Sequence, residues 1–316
     1  MQMSQAQFFV FVEGKYSDTF VHGSNCDLAL TQLGVQYEVI RSDQISGSGS
    51  GKTRLLAHYE MLRMNGQLAD KFKGKTAVAV FFMDKDLDDI HGRQVSSDHV
   101  IYTAFYDVEN HIFAEGDIRH AVAAACNIDP QRVRQELPSG QEWQTQVALY
   151  WQDWVRLCFA ANVLKFHGEA NYGRLSPVNP KPYGPPEKTS VARYTHRSHA
   201  LARQVCPNGC QDWELARAQV DTLYNAGRHN EIFKGKWYSE ILSRWLIDFD
   251  SDIDTRALAA TLVKQVASTM KFDSPWSQGV QEKVRNLAIN AGIPFPGQRS
   301  GVGPTVESLT KEPESS

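Results

Sequence analysis

Four carboxylates fall within six positions, at Asp84, Asp86, Asp88 and Asp89, directly after the apolar run Ala77-Val-Ala-Val-Phe-Phe82 that Met83 closes. Carboxylates this close repel one another, and each resists desolvation. A hard divalent cation, Mg²⁺ or Mn²⁺, relieves both costs, because such ions prefer carboxylate oxygens. A solvated acidic turn is the plainer reading of the same residues. A second candidate is Glu13, in Glu13-Gly14-Lys15, which ends another apolar run, Gln7-Phe-Phe-Val-Phe-Val12. Gly14 lets the backbone turn sharply and lets a metal or phosphate approach. The third is Glu109-Asn110, just past His99-Val-Ile-Tyr-Thr-Ala-Phe105. Glu109 could be an outer or second-metal ligand, and Asn110 could orient a water or a phosphate oxygen. A helix start favours the same residue types through its dipole.

The elements that must position these groups are short and apolar. Runs at 7–12, 36–40, 77–82 and 99–105 read as strands of a parallel sheet flanked by helices, an α/β fold whose ligands sit at the carboxyl ends of the strands. A helix is expected after Ser17 as N-cap, kinked near Gly23 and ending before Gly34. An amphipathic helix is expected over Arg54–Leu62.

Three other motif families can place chemistry here. A calcium-binding helical hand needs Gly and Glu where Asp89 and Val95 stand, so it fails. A haloacid-dehalogenase-like phosphatase places Asp-x-Asp after its first strand, whereas this Asp-x-Asp follows a later one. Ser46-Gly-Ser-Gly-Ser-Gly-Lys52-Thr53 nearly spells a P-loop, with Ser46 where the motif requires Gly. Lys52 would then serve an ATPase or kinase. The same loop also reads as a flexible Gly/Ser turn, or as a helix N-terminus facing the phosphate of another substrate.

The chain has 316 residues, 42% hydrophobic and 22% charged, with a net charge of -3. One or two domains with a full core are expected. Any nucleic-acid surface must be local, since the global charge gives no sign of one. Five cysteines without a regular framework point to a reducing compartment, and the polar N-terminus lacks a signal sequence. No apolar run reaches membrane-spanning length, so a cytoplasmic protein with no membrane partner is expected.

All seven tryptophans follow residue 140. Gln141–Phe166 reads as a long helix whose Trp143, Trp151 and Trp154 belong to a core. Residues 168–190 form a Pro-rich loop suited to a lid or a partner-binding segment. The basic stretch 181–203 offers Arg193, Arg197 and Arg203 for phosphates, or only a solvated helix face. His196, His199, Cys206 and Cys210 could hold a structural Zn²⁺ at marginal spacing, although two buried thiols fit better. Lys234-Gly235-Lys236 precedes a helix, and either lysine could contact phosphate. Helices are expected over 238–247, 254–271 and 276–291, and the tail 294–316 is expected to be disordered.

Val12-Glu13-Gly14-Lys15, the Gly-rich turn into a helix, the strand followed by Asp-x-Asp-x-Asp, and Tyr106-Asp-Val-Glu-Asn110 occur in that order. This set resembles the Toprim nucleases related to the overcoming-lysogenization-defect family. The nearest likeness is to their stand-alone subgroup, the effectors of the PARIS type that work beside an ABC-type ATPase in bacterial anti-phage defence. The resemblance spans about residues 7–115, and Gly235-Lys236 is similar to an element of the same subgroup. It implies a Toprim catalytic domain over 1–115 and a mainly helical domain over 116–293. It also implies a metal-dependent phosphodiesterase, with tRNA or DNA as substrate, an ATPase partner that restrains it, and a homodimer when active.

On that reading Asp84 and Asp86 hold the metal, and Asp88 supports them or binds a second ion. Glu13 binds metal or acts as general base, and Lys15, Lys85 or Lys236 assists electrostatically. The alternatives are nucleotide binding through Lys52 and a non-catalytic protein that binds a partner through the Pro-rich loop.

Overall fold

The computed structural model describes residues 6–72, 75–173, 175, 178, 186–206, 208–249 and 258–293. The expected tail 294–316 and residues 174, 176, 177 and 179–185 of the Pro-rich loop lie outside the described residues.

Among the described residues, five strands form one sheet: β1 (Phe8–Val12), β2 (Tyr37–Arg41), β3 (Ala69–Phe72), β4 (Lys75–Met83) and β5 (Val100–Tyr102). Their order is β2-β1-β4-β3, and β5 also pairs with β4. β1 runs parallel to both β2 and β4, with Phe8 opposite Tyr37 and Val78. β3 and β5 share the outer edge of β4, antiparallel along its first half and parallel at Phe81–Met83. The α/β class with a parallel core is as expected. The antiparallel β3 was not, because Ala69-Asp-Lys-Phe72 has no apolar run to mark it.

β1 is apolar at every position because helices cover both faces of the sheet. Phe8, Val10, Val12, Val78, Val80 and Phe82 point one way, into a core completed by α1 (Tyr16–Leu30) and α11 (Pro275–Asn290). Phe9, Phe11, Ala79, Phe81 and Met83 point the other way, onto Leu55, Tyr59 and Leu62 of α2 (Gly51–Met64). Phe11 and Phe81 stack at 4.7 Å across neighbouring strands, an arrangement worth about 1 kcal/mol beyond area burial.

α1 differs from expectation. It runs unbroken through Gly23, where an added Cβ would make only ordinary contact with Val39 of β2, at 3.6 Å. Lys15, not Ser17, occupies the cap position, with no side-chain cap bond. The turn falls at Gly34, with φ of 67°.

Among the described residues, eight further helices follow β5: α3 (Val108–Glu115), α4 (Ile118–Cys126), α5 (Pro130–Glu136), α6 (Gly140–Val163), α7 (Lys188–Val205), α8 (Gly209–Asn225), α9 (Lys236–Phe249) and α10 (Leu258–Ser268). They precede α11. Trp143, Trp151 and Trp154 of α6 are buried in the larger apolar cluster, as the sequence suggested. α11 comes from the far end of the chain, yet it lies against α1 and the sheet face. Among the described residues, no helix is long and apolar enough to cross a membrane.

Candidate active site

The carboxyl ends of β1 and β4 bring together five acidic side chains from four elements. Glu13 leaves β1, Asp84 leaves β4, Asp18 comes from the first turn of α1, and Asp107 and Glu109 come from the start of α3. Asp18, Asp84, Asp107 and Glu109 are all buried.

Each position has a local cause. Asp107 caps α3: its Oδ1 accepts from Asn110 N at 3.2 Å, while the Asn110 side chain accepts from Asp107 N. Val108 N donates to Asp84 Oδ1 at 3.0 Å, which fastens the end of β4 to the same helix start. Asp18 accepts from the Gly14 backbone, closing the Glu-Gly turn. A side chain at Gly14 would lie 2.2 Å from the Asp18 carboxylate, so this turn needs a glycine.

The electrostatics are severe. Burial raises the Asp84 carboxyl well above the usual range, and the charges of Asp18, Glu13, Asp107 and Glu109 push it further. Burial and Glu109 do the same to Asp107. Burial first, then the Asp86 and Asp18 charges, bring Glu13 up to about 7 against the pull of Lys52 and Lys236. Glu13 Oε2, Asp107 Oδ2 and Glu109 Oε2 are buried with no hydrogen-bond partner. Such oxygens are rare in proteins and call for a cause.

Two lysines answer this charge. Lys236, at the first position of α9, is exposed at the mouth of the cluster. Glu109 above all, then Asp84, Asp107 and Asp18, raise its pKa. Gly235 makes this docking possible: its N donates to Asp107 Oδ1 at 3.1 Å, and a Cβ there would fall 2.2 Å from that oxygen. Lys52 reaches in from α2, with Nζ 2.5 Å from Asp86 Oδ2 and 2.9 Å from Asp88 Oδ2. Gly51 beside it packs on Glu13, where a Cβ would meet Cγ at 2.9 Å. Asp86 takes a φ of 48°, which its short polar side chain tolerates, and its N donates to Tyr106 O at 2.7 Å.

The expected residues therefore divide. Glu13, Asp84, Glu109 and Lys236 converge. Asp86 and Asp88 stand at the rim, where Lys52 pairs with both and Arg93 with Asp88 at 3.1 Å. Lys15 is separate: its side chain is 66% exposed and faces Asp43 at 3.6 Å. Lys85 is buried and braces β4 against Asp89 and Glu231, each at 3.4 Å. Asn110 cannot orient a substrate, being fully buried and donating to Asn230 Oδ1 and Phe233 O at 3.2 and 3.0 Å.

The expected nucleic-acid residues also lie apart. Lys234 donates to the Tyr172 carbonyl at 3.0 Å. Arg197 pairs with Glu169 at 3.0 Å, and Arg193 lies over the Tyr194 ring. Arg203 is exposed on α7, whose main partners are α6 and α8. His199 packs against Trp213, no disulfide joins the cysteines, and Cys206 is half-buried and Cys210 exposed rather than the two buried thiols expected there. Among the described residues, no group of three or more His, Cys, Asp or Glu side chains is arranged to hold a metal ion.

Asp18, Asp107 and, for a carboxylate site, Lys52 are the functional candidates the sequence reading passed over. Asp18 and Asp107 look like ordinary helix-start residues. Lys52 was tied to a nucleotide motif rather than to the acidic strand end.

No family model matches this chain, and no curated protein matches it in sequence. The functional reading stands on the strand ends and on the sequence resemblance.

Proposed function

We propose that this chain is a metal-dependent phosphodiesterase that cleaves nucleic acid, a Toprim-like nuclease. The observation that carries this reading is the convergence of Glu13, Asp18, Asp84, Asp107 and Glu109 on one buried spot, three of them with an unbonded oxygen. The donor set fits Mg²⁺ or Mn²⁺: it is all hard oxygen, crowded and short of positive charge. Asp84 and Glu109 would hold the ion, with Asp107 and Asp18 beside them, once these side chains draw together, since among the described residues no three acids are arranged around one point as they stand. Such an ion supplies Lewis-acid polarisation of a phosphoryl oxygen and neutralises the carboxylates.

The protein's own groups supply the rest. Glu13, at the edge of the cluster, accepts a proton from an attacking water. Lys236 offers a positive charge to the oxygens that become more negative in the transition state. Lys52, at the N-terminus of α2, is placed to hold a neighbouring phosphate once it leaves Asp86 and Asp88. The buried walls strengthen each of these interactions.

The wider expectations belong to the same proposal and rest on the resemblance alone. They are tRNA or DNA as substrate, an ABC-type ATPase partner, a homodimer and a role in bacterial anti-phage defence. A second reading is nucleotide binding at the start of α2, favoured by Lys52 facing the acidic end of β4. It requires ATP binding that Lys52→Met abolishes.

The test is cleavage of total tRNA and of plasmid DNA by the purified protein with Mg²⁺ or Mn²⁺. Cutting should vanish in Glu13→Ala. Equal cutting by both proteins would remove Glu13 from the mechanism and sink the proposal.

A further inference from the structure

We infer that the cleft between α1, β2 and the Lys271–Phe272 turn is a subsite for single-stranded nucleic acid. It takes its ligand from the nuclease reading, but it stands on separate residues and a separate test.

The cleft has a volume of about 710 Å³ and is lined by Lys15, Tyr16, Phe20, Arg41, Lys271 and Phe272, among others. It opens within two residues of Glu13, because Lys15 and Tyr16 continue directly from the Glu-Gly turn. A strand lying in it would therefore run up to the carboxylate cluster.

Its chemistry is that of a base-stacking platform with a phosphate track. Tyr16 is 67% exposed and Phe20 is 43% exposed, an uncommon cost for neighbouring aromatic side chains on one helix face. Bases stack on such rings regardless of sequence. Lys264 Nζ sits 4.2 Å from the Tyr16 ring centre, holding the ring by a cation–π contact and adding positive charge beside it. Phe20 leans on Phe272 at 6.1 Å. Phe272 keeps a φ of 56°, costly for an aromatic residue, and Gln281 pins its carbonyl at 2.9 Å.

The charge balance also favours phosphate. Three cations, Lys15, Arg41 and Lys271, and one acid, Asp27, line the cleft, with Lys264 at the Tyr16 ring and Asp43 paired to Lys15 and Arg41, in a chain whose net charge is -3. Asp27 is engaged by the hydroxyls of Thr31 and Tyr37 at 2.9 and 3.3 Å. Asp43 is shared between Arg41 at 3.0 Å and Lys15 at 3.6 Å. Phosphates can displace Asp43 from two exposed cations at small cost. The α7 arginines lack this combination, since Arg197 is paired with Glu169.

The experiment is fluorescence anisotropy in EDTA, so that no cutting is needed. Its probes are fluorescein-labelled oligouridine, oligothymidine and a duplex, each about twelve nucleotides long. The wild-type chain should bind the single strands more tightly than the duplex. Tyr16→Ala should weaken binding about tenfold, the loss of one stacked base, and Tyr16→Phe should restore it. Lys271→Glu should weaken binding and flatten its salt dependence, while Arg197→Ala should leave it unchanged. Comparing oligouridine with oligothymidine separates RNA from DNA preference. Wild-type affinity in both Tyr16→Ala and Lys271→Glu would overturn the inference, as would a preference for duplex or no binding at all. Tyr16-dependent binding alongside a Glu13→Ala protein that cuts normally would refute the carboxylate centre proposed above and leave the cleft standing. The opposite pattern would refute the cleft and leave that centre standing.

Discussion

Lys52 Nζ lies 2.5 Å from Asp86 Oδ2 and 2.9 Å from Asp88 Oδ2, so a lysine from the first turn of α2 neutralises the acidic end of β4. The Asp86 and Asp88 charges raise its pKa despite burial. A divalent cation arriving at this strand end has to compete with that ammonium. Lys52→Met is therefore expected to bind Mn²⁺ about three- to tenfold more tightly, a gain of roughly 1 kcal/mol. Calorimetric titration measures it, and weaker binding would show that Lys52 organises the carboxylates rather than competing for them.

Asp84→Asn should stabilise the metal-free protein. The carboxyl is raised by burial and by four neighbouring acids. A buried acid whose folded pKa exceeds its unfolded value favours the fold only while protonated, and that benefit is lost as pH rises. Asn keeps an oxygen for Val108 N and carries no charge. In EDTA at mildly alkaline pH the variant should gain about 1–3 kcal/mol in urea denaturation and lose divalent-dependent stabilisation. Lower stability in EDTA would mean the charge is already compensated.

Gly235→Ala should separate Lys236 from the cluster. The added carbon would sit 2.2 Å from Asp107 Oδ1 and 2.4 Å from Asn110 N, and the second of these is backbone that cannot swing aside. A stability loss of about 1–3 kcal/mol is expected, together with loss of cleavage. A variant with wild-type melting and cleavage would mean that the turn shifts without moving Lys236.

The fold should weaken in mild acid through His22. This ring is buried against Phe82 at 4.4 Å, and both its nitrogens lack partners. Burial, then the charge of His111, lowers its pKa from 6.5 to about 3. A base with a depressed folded pKa stabilises the fold fully above 6.5, and that contribution fades as pH falls towards 3. At about pH 5 the loss is about 2 kcal/mol. His22→Phe should flatten the fall in Tm between neutral pH and about pH 5. Parallel pH curves for the two proteins would assign acid lability to other groups.

The strands at 8–12 and 75–83 were legible because burial on both faces demands apolar residues at every position, and only a continuous run meets that demand. Glu13, Asp84 and Glu109 were legible as the first acids after such runs. Lys236 was legible only by resemblance, since its role depends on Gly235 fitting against Asp107, a contact across 128 residues of chain. Asn110 misled for the same reason: its partners, Asn230 and Phe233, are equally remote. Asp18 and Asp107 were hidden because a cap and a first-turn acid have an ordinary local explanation. The basic patch on α7 was read from charge alone, and charge does not reveal that Arg197 already has Glu169.

The fastening of the strand ends to the 229–236 turn also sets an order of events during synthesis. Tyr106 N donates to Asn230 O at 2.9 Å, and Lys85 reaches Glu231. Lys236 is the countercharge for the buried acids, and α11 closes a sheet face formed from the first residues made. A ribosome that has released only the sheet strands has released an open sheet with uncompensated acids. The cluster is completed only as the last quarter of the chain emerges, so a prematurely terminated copy carries the motif but not the assembled centre.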